Sequence, residues 1–217
     1  MRVAVLASGG GTNLQALLDR CRGDAEARVV VVISNKPDAG ALDRARRAGV
    51  QTAVLADHTD ATELLGVLKT HGVDLVVLAG YLKLVPRAVV EAYANRMINI
   101  HPALLPSFGG TGMYGRRVHE AVLASGATIS GPTVHLVTAE YDRGPILAQW
   151  PVPVVPGDTP DTLATRVLAV EHQLLPAVVL AAAQAGHAVP LVAADQHFDT
   201  HHGPSEVADH LQPVGDR

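Results

Sequence analysis

The chain of 217 residues is 48% apolar and 18% charged, which reads as globular and fits one domain, or one domain with an appended tail. Lysine and arginine number 17 against 21 acidic residues, so a net charge of -4 gives no general electrostatic reason to bind nucleic acid or an anionic membrane, and any anion site must be local. Cys21 is the only cysteine, which excludes an internal disulfide and a cysteine-rich zinc site and points to a reducing compartment.

The opening residues lack the basic flank, apolar run and small-residue cleavage site of a signal peptide. No window is read as reaching the roughly 18 apolar residues that span a bilayer. The expectation is a soluble cytoplasmic protein, monomer or homodimer, acting on small molecules.

Residues 3–7 are a continuous apolar run, as in a strand buried on both faces of a parallel sheet. Ser8-Gly9-Gly10-Gly11-Thr12-Asn13 follows. Leu14, Leu17 and Leu18 then recur at helical spacing, so the glycines make a turn into a helix N-terminus. This arrangement is an anion cradle: the first helical N–H groups have no intrahelical partner, the helix end carries partial positive charge, and glycines let a phosphate approach the backbone. Thr12 and Asn13 add side-chain donors. No Gly-Lys-Ser/Thr follows as in a P-loop, and Leu14 stands where a dinucleotide fingerprint has its third glycine. The next strand, 29–33, ends in Ser34-Asn35-Lys36 without the acidic residue that holds a ribose. A monophosphate fits better than a dinucleotide, and a tight βα turn without a ligand is the alternative.

A helix over 41–48 closed by Gly49, a strand over 52–55, a helix over 62–71 and a buried strand over 74–79 continue the alternation. That pattern implies βαβ crossovers and an α/β fold with a doubly wound, mostly parallel sheet. Gly80-Tyr81-Leu82-Lys83-Leu84-Val85-Pro86 leaves the fourth strand at the rim that carries the glycine turn; its apolar residues either line a slot for a flat ligand or belong to the core. A helix over 86–94 precedes Met-Ile-Asn-Ile-His at 97–101, a short apolar strand stopped by Pro102. Residues two apart on a strand share a face, so Asn99 and His101 project together. An imidazole exchanges a proton near neutral pH, and a carboxamide donates to an oxygen gaining negative charge. The pair suits acyl chemistry, with a strand-end histidine capped by its neighbours as the alternative.

The proline- and glycine-rich stretch 102–115 makes a long loop able to serve as a lid, followed by a helix over 116–124. One strand over 128–137, with Thr133, His135 and Val137 on one face, and another over 147–154 form an antiparallel hairpin. Asp142, in the turn joining them, is the candidate third member of the Asn99–His101 set, although a turn aspartate commonly bonds its own backbone. One helix over 163–185 carries Glu171 and His172, and Pro176 is a place for a kink. The chain thus divides into a domain over 1–186 and a solvated tail over 187–217, whose His197, His201 and His202 match no metal-ligand spacing.

Taken in order, S-G-G-G-T-N-L, I-N-I-H-P-A-L-L-P-S-F, G-P-T-V-H, D-R-G-P-I-L-A-Q and V-E-H resemble the folate-dependent phosphoribosylglycinamide formyltransferases of purine synthesis. The match runs from Met1 to about Gly186. It implies a Rossmann-like formyltransferase fold with an antiparallel C-terminal hairpin and a long C-terminal helix. It also implies transfer of the formyl group of 10-formyltetrahydrofolate, a co-substrate, to the amine of 5'-phosphoribosylglycinamide, with no metal. By this resemblance Gly11, Thr12 and Asn13 take the substrate phosphate and Glu171 its sugar or glycinamide. Leu82, Lys83, Leu84 and Val85, with Asn99, line the folate pocket. Asn99 and a protonated His101 stabilise the tetrahedral oxyanion, and Asp142 beside His101 favours the imidazolium, raises its pKa and helps relay protons.

The sequence departs from the family in two places. The loop 107–115 is longer than in many members, and the arginine that some relatives direct at the folate tail has no match in 58–65. Formyltetrahydrofolate deformylase, with the same Asn-His-Asp set, resembles a longer chain with an N-terminal regulatory domain, for which a first strand starting at once is read as leaving no room. Methionyl-tRNA formyltransferase needs a basic C-terminal RNA-binding domain. A non-catalytic phosphosugar-binding module is the alternative from another class.

Overall fold

The apolar runs become strands of one seven-stranded sheet, described by a computed structural model over residues 1–23 and 26–191. In chain order the elements are β1 (Arg2–Leu6), α1 (Thr12–Arg20), β2 (Arg28–Ser34), α2 (Gly40–Arg47), β3 (Gln51–Val54), α3 (Ala61–Thr70), β4 (Leu75–Leu78), α4 (Arg87–Ala92) and β5 (Met97–His101). There follow α5 (Arg116–Ala124), β6 (Ile129–Ser130), β7 (Thr133–Leu136), β8 (Ile146–Gln149), β9 (Val152–Pro153) and α6 (Pro160–Ala185). The strand order is β3-β2-β1-β4-β5-β7-β8; the first five are parallel, and β7 and β8 add antiparallel at the β5 edge.

Alternation along β1 divides the core. Val3 and Val5 face a layer containing Leu14, Leu17, Leu42, Leu174 and Val178 from α1, α2 and α6. Ala4 and Leu6 face the opposite layer, with Leu64, Leu68 and Val89 from α3 and α4. Both faces are covered, which is why β1 and β4 read as unbroken apolar runs. The chain reverses direction across the sheet at β1 and β4, so the loops leaving these two strands open a crevice at their carboxyl ends.

The C-terminal hairpin differs from the sequence expectation. The strand expected over 128–137 is two strands, and so is the one over 147–154: β7 and β8 pair in the main sheet, whereas β6 and β9 form a separate two-stranded sheet. The division falls at Gly131 and Pro132, opposite Trp150 and Pro151. Gly131 has φ of 140°, and a Cβ there would lie 2.0 Å from the Trp150 carbonyl oxygen, so the close crossing of the two chains admits only glycine. Prolines on both sides interrupt the ladder.

Helix α6 begins with a capping box in which Thr159 and Thr162 bond each other's backbone N–H, and Pro160 follows the cap. It runs continuously through Pro176 to Gly186, whose φ of 77° closes it. Contrary to the expectation that no stretch suffices, this helix of 26 residues is long and apolar enough to cross a membrane by length and composition. Leu163, Val167, Leu174, Leu175, Val178 and Val179 on it are buried in the domain, which gives its apolar character a core origin. Past it, the Leu191 amide donates to the Leu147 carbonyl at 2.9 Å. His197, His201 and His202, expected in a solvated tail, lie outside the described residues.

Candidate active site

The loops that leave β4, β5 and β7, with Asn13 on α1 and residues of α5 and α6, line a cavity of about 670 Å³. Ser8 ties the loop leaving β1 to the one leaving β4: its amide donates to the Gly80 carbonyl at 3.0 Å, its hydroxyl accepts from the Leu82 amide at 3.1 Å, and the hydroxyl donates to Asn35 Oδ1 at 2.6 Å. The expected common rim is therefore built by hydrogen bonds. Leu82, Lys83, Leu84 and Val85 line one wall of the cavity, and residues 110–117 line another. Leu82, Leu84, Tyr114 and Tyr141 keep substantial exposure, an unusual condition for large apolar groups that suits a slot for a flat ligand.

Asn99, His101 and Asp142 all line this cavity. Alternation on β5 turns Asn99 and His101 to the same side, as the sequence required, and Asp142 arrives from the β7–β8 connection with φ of 54°. Left-handed backbone is uncommon outside glycine and is tolerated by aspartate. His101 Nδ1 lies 3.6 Å from Asp142 Oδ2, and His101 Nε2 donates to the Phe108 carbonyl at 2.8 Å. Asp142 also accepts from the Gly110 amide at 2.8 Å, so it fastens the loop after β5 to the site. The local backbone-bonding alternative for Asp142 gives way to these long-range partners.

His135, which sequence reasoning placed on a strand face without a role, joins the cluster. Pairing of β5 with β7 sets it opposite Asn99, and its Nε2 lies 3.0 Å from Asn99 Nδ2 and 3.5 Å from Asp142 Oδ1. The period of two that found Asn99 and His101 applies equally to Thr133 and His135; what it lacked was the cross-strand register. Thr133, opposite His101, accepts from the Leu105 amide and donates to the Ala103 carbonyl, which anchors the chain just past Pro102.

Protonation of the cluster corrects one expectation. Asp142 does pull the His101 pKa upward, but burial of the imidazole is the larger effect and His101 lies below its ordinary value. For Asp142 burial pushes upward, and the contacts from His135, His101 and the Gly110 amide outweigh it, leaving the carboxyl below its usual range. His119, on α5 at the cavity wall, is lowered by burial and then by His101. Tyr81 is pushed up to about 12 by burial.

Also lining the cavity, Asn13 Nδ2 donates to Glu171 Oε2 at 2.6 Å. Burial raises Glu171 above the usual carboxylate range against the opposing Asn13 bond. Gly11 and Thr12 do not line the cavity; they sit beside it at the start of α1, with Gly11 at φ of 74° as the N-cap. The structure thus brings Asn13, Glu171, Asn99, His101, Asp142 and the 82–85 segment to one cavity and leaves Gly11 and Thr12 at its margin. Among the described residues, Asn13 Oδ1, Tyr81 OH and His119 Nδ1 are buried polar atoms without a hydrogen-bond partner, and all three belong to cavity-lining residues. Among those residues no group of three or more His, Cys, Asp or Glu could hold a metal ion.

The fold and site define a doubly wound α/β domain with an acid–base cluster and a helix N-terminus facing one crevice. The chain belongs to the formyl transferase family, whose model matches residues 1–179. It is 48% identical over 186 residues to a chloroplastic phosphoribosylglycinamide formyltransferase of Arabidopsis thaliana, covering 82% of this chain and 64% of that one. Against the phosphoribosylglycinamide formyltransferase of Escherichia coli (strain K12) it is 40% identical over 186 residues, covering 82% and 85%. The crystal structure of glycinamide ribonucleotide transformylase 1 from Symbiobacterium toebii superposes with a TM-score of 0.79 at 45% identity, covering 85% of this chain and 88% of that one. The chain spans 64% and 59% of the length of the Arabidopsis thaliana and Vigna unguiculata relatives.

Proposed function

We propose that the protein transfers the formyl group of 10-formyltetrahydrofolate to the amine of 5'-phosphoribosylglycinamide, giving phosphoribosyl-N-formylglycinamide and tetrahydrofolate. The observation that carries this reading is the convergence of Asn99, His101 and Asp142 in a cavity that also holds the Asn13–Glu171 pair beside the N-terminus of α1. Membership of the formyl transferase family supports a folate-type formyl donor. The unpaired N–H groups of the first turn of α1, at Gly11, Thr12 and Asn13, suit a phosphate. Glu171 suits the hydroxyl-bearing sugar or the glycinamide, and the exposed apolar residues Leu82 and Leu84 suit a flat pteridine-type ring.

The amine attacks as a neutral nucleophile. Its lone pair forms the new C–N bond, the carbonyl π pair moves onto oxygen, and collapse breaks the bond to the folate nitrogen, which takes up a proton as the amine gives one away. Asn99 donates a hydrogen bond to the oxyanion. A charged His101 adds to that stabilisation, and Asp142 favours the imidazolium and helps relay the proton from the amine to the folate nitrogen. Removing such a donor costs about 10²- to 10³-fold in kcat.

The test is absorbance on mixing the protein with 10-formyltetrahydrofolate, with and without phosphoribosylglycinamide, repeated for His101→Ala. Release of tetrahydrofolate that needs the glycinamide and is lost in the variant supports transfer. Release without the glycinamide makes the protein a deformylase, and no release in either case makes it a binding module.

A further inference from the structure

His135 is buried to 2% exposure yet makes contact with two of the three groups assigned to the chemistry. Its ring nitrogens have different surroundings. Nδ1 lies 2.8 Å from the Leu136 carbonyl, which only accepts, so Nδ1 carries the hydrogen. Nε2 lies 3.0 Å from Asn99 Nδ2, an amide nitrogen that only donates, so Nε2 presents its lone pair there. One neutral tautomer satisfies both contacts. In that state Asn99 has a single orientation, with one N–H spent on His135 and its other N–H and carbonyl edge left for the cavity. With Nε2 protonated, the same ring donates toward Asp142 Oδ1 at 3.5 Å, and the carboxamide must turn to offer oxygen instead.

We propose that His135 is a positioning residue for formyl transfer, which sets the orientation of the Asn99 carboxamide through Nε2. This rests on the transferase reading above. It identifies a residue that does not touch the reacting atoms yet decides which edge of Asn99 meets them. The cross-strand register makes this placement rigid: Asn99 and His135 are directly paired on β5 and β7, and a one-residue slip of β7 would turn His135 to the other face, away from Asn99. A carboxamide free to rotate would present a carbonyl oxygen to the developing oxyanion in part of the population, and misplacement of a reacting-site group by about 1 Å can cost about 10²-fold.

The experiment compares wild type, His135→Leu, His135→Gln, Asn99→Ala and the double variant Asn99→Ala/His135→Leu, by steady-state transfer with both substrates and by thermal unfolding. Wild-type transfer dependent on the glycinamide is the control; its absence refutes the transferase reading and leaves nothing for His135 to position. With that control met, His135→Leu is expected to lower kcat about 10- to 100-fold, with the KM for the phosphosugar changed less than about threefold. His135→Gln, whose side-chain oxygen can accept from Asn99, is expected to recover most of kcat. The double variant is expected to lose no more than Asn99→Ala alone, because His135 acts through Asn99. Independent, multiplying losses would overturn the proposal, as would equal activity of the Leu and Gln variants at equal thermal stability. Should His135→Leu fail to fold, the comparison rests on His135→Gln with and without Asn99→Ala, where multiplying losses again overturn it.

Discussion

Gly11→Ala tests whether the glycine turn is a built ligand-facing corner or a permissive linker. Gly11 has φ of 74°, and a methyl group on it would sit 2.7 Å from Ala41 Cα and 2.8 Å from Ala41 Cβ, both on the first turn of α2. Left-handed backbone costs an alanine about 1–2 kcal/mol. Overpacking against helix backbone costs about 1–3 kcal/mol more, which together gives a loss of about 2–5 kcal/mol. The neighbour cannot yield cheaply, since the Ala41 amide donates to the Gly9 carbonyl at 3.0 Å and Arg44 Nε donates to the Gly10 carbonyl at 2.7 Å. Relief must therefore come from the start of α1, where Thr12 and Asn13 stand. Gly10→Ala is the matched control, because a methyl there meets no heavy atom within 4 Å; it is expected to stay within about 0.5 kcal/mol of wild type. Urea unfolding measures the stability, and steady-state kinetics measure the KM of each substrate. Gly11→Ala should raise the KM for the phosphosugar more than that for the folate donor. A loss below about 1 kcal/mol with both KM values unchanged, or an equal loss from Gly10→Ala, would refute the argument.

Asp142→Asn removes the largest upward pull on His101, so the His101 ionisation, followed by imidazole NMR, should move to still lower pH while kcat falls; an upward movement would contradict the assignment of causes. Glu171→Gln should raise the thermal midpoint more at pH 8 than at pH 4 while raising the KM for the phosphosugar. The sign follows from a folded-state pKa raised by burial above the unfolded value: the penalty for the charged form is absent below the unfolded pKa and fully present above the folded one. Equal shifts at both pH values would remove that account. Thr133→Val deletes a hydroxyl that donates to Ala103 at 2.6 Å and accepts from Leu105 at 3.0 Å and Gln149 at 2.9 Å, all in a fully buried position. It should cost about 2–3 kcal/mol in denaturant unfolding and lower kcat, since the segment it anchors directly follows His101.

The parallel half of the fold was legible because burial on both faces writes itself as apolar runs and crossover helices write their own period; β1, β2 and β4 are found within a residue or two of where Val3, Val29 and Asp74 suggested. The antiparallel half was not. The stretches around Gly131 and Trp150 keep strand-like composition through a point where the backbone leaves one sheet for another, and that departure is enforced by a contact between residues far apart in sequence. The same limit governed the site. Asn99 and His101 share a strand, so local alternation was enough; Asn13 came from the glycine turn read locally, and the role of Glu171 from the family resemblance. His135 needed the register of β7 against β5, a non-local quantity that no period in the sequence encodes.

The direction of the His101 shift was beyond reach for a related reason, and it changes how the site works. Sequence supplies an acid beside a base; only the fold sets the competing cost of burying the ring, and here that cost exceeds the pull of Asp142. His101 faces acceptors on both nitrogens, Phe108 oxygen at 2.8 Å and Asp142 Oδ2 at 3.6 Å, so its charged form has a partner for each N–H even while burial disfavours it. Such a group is poised rather than charged. On the formyl-transfer reading proposed above, negative charge arriving on the oxyanion beside it would tip the balance toward imidazolium at the moment of attack, so stabilisation would be stronger in the transition state than in the ground state. That difference, rather than tight binding of both states, is what accelerates a reaction.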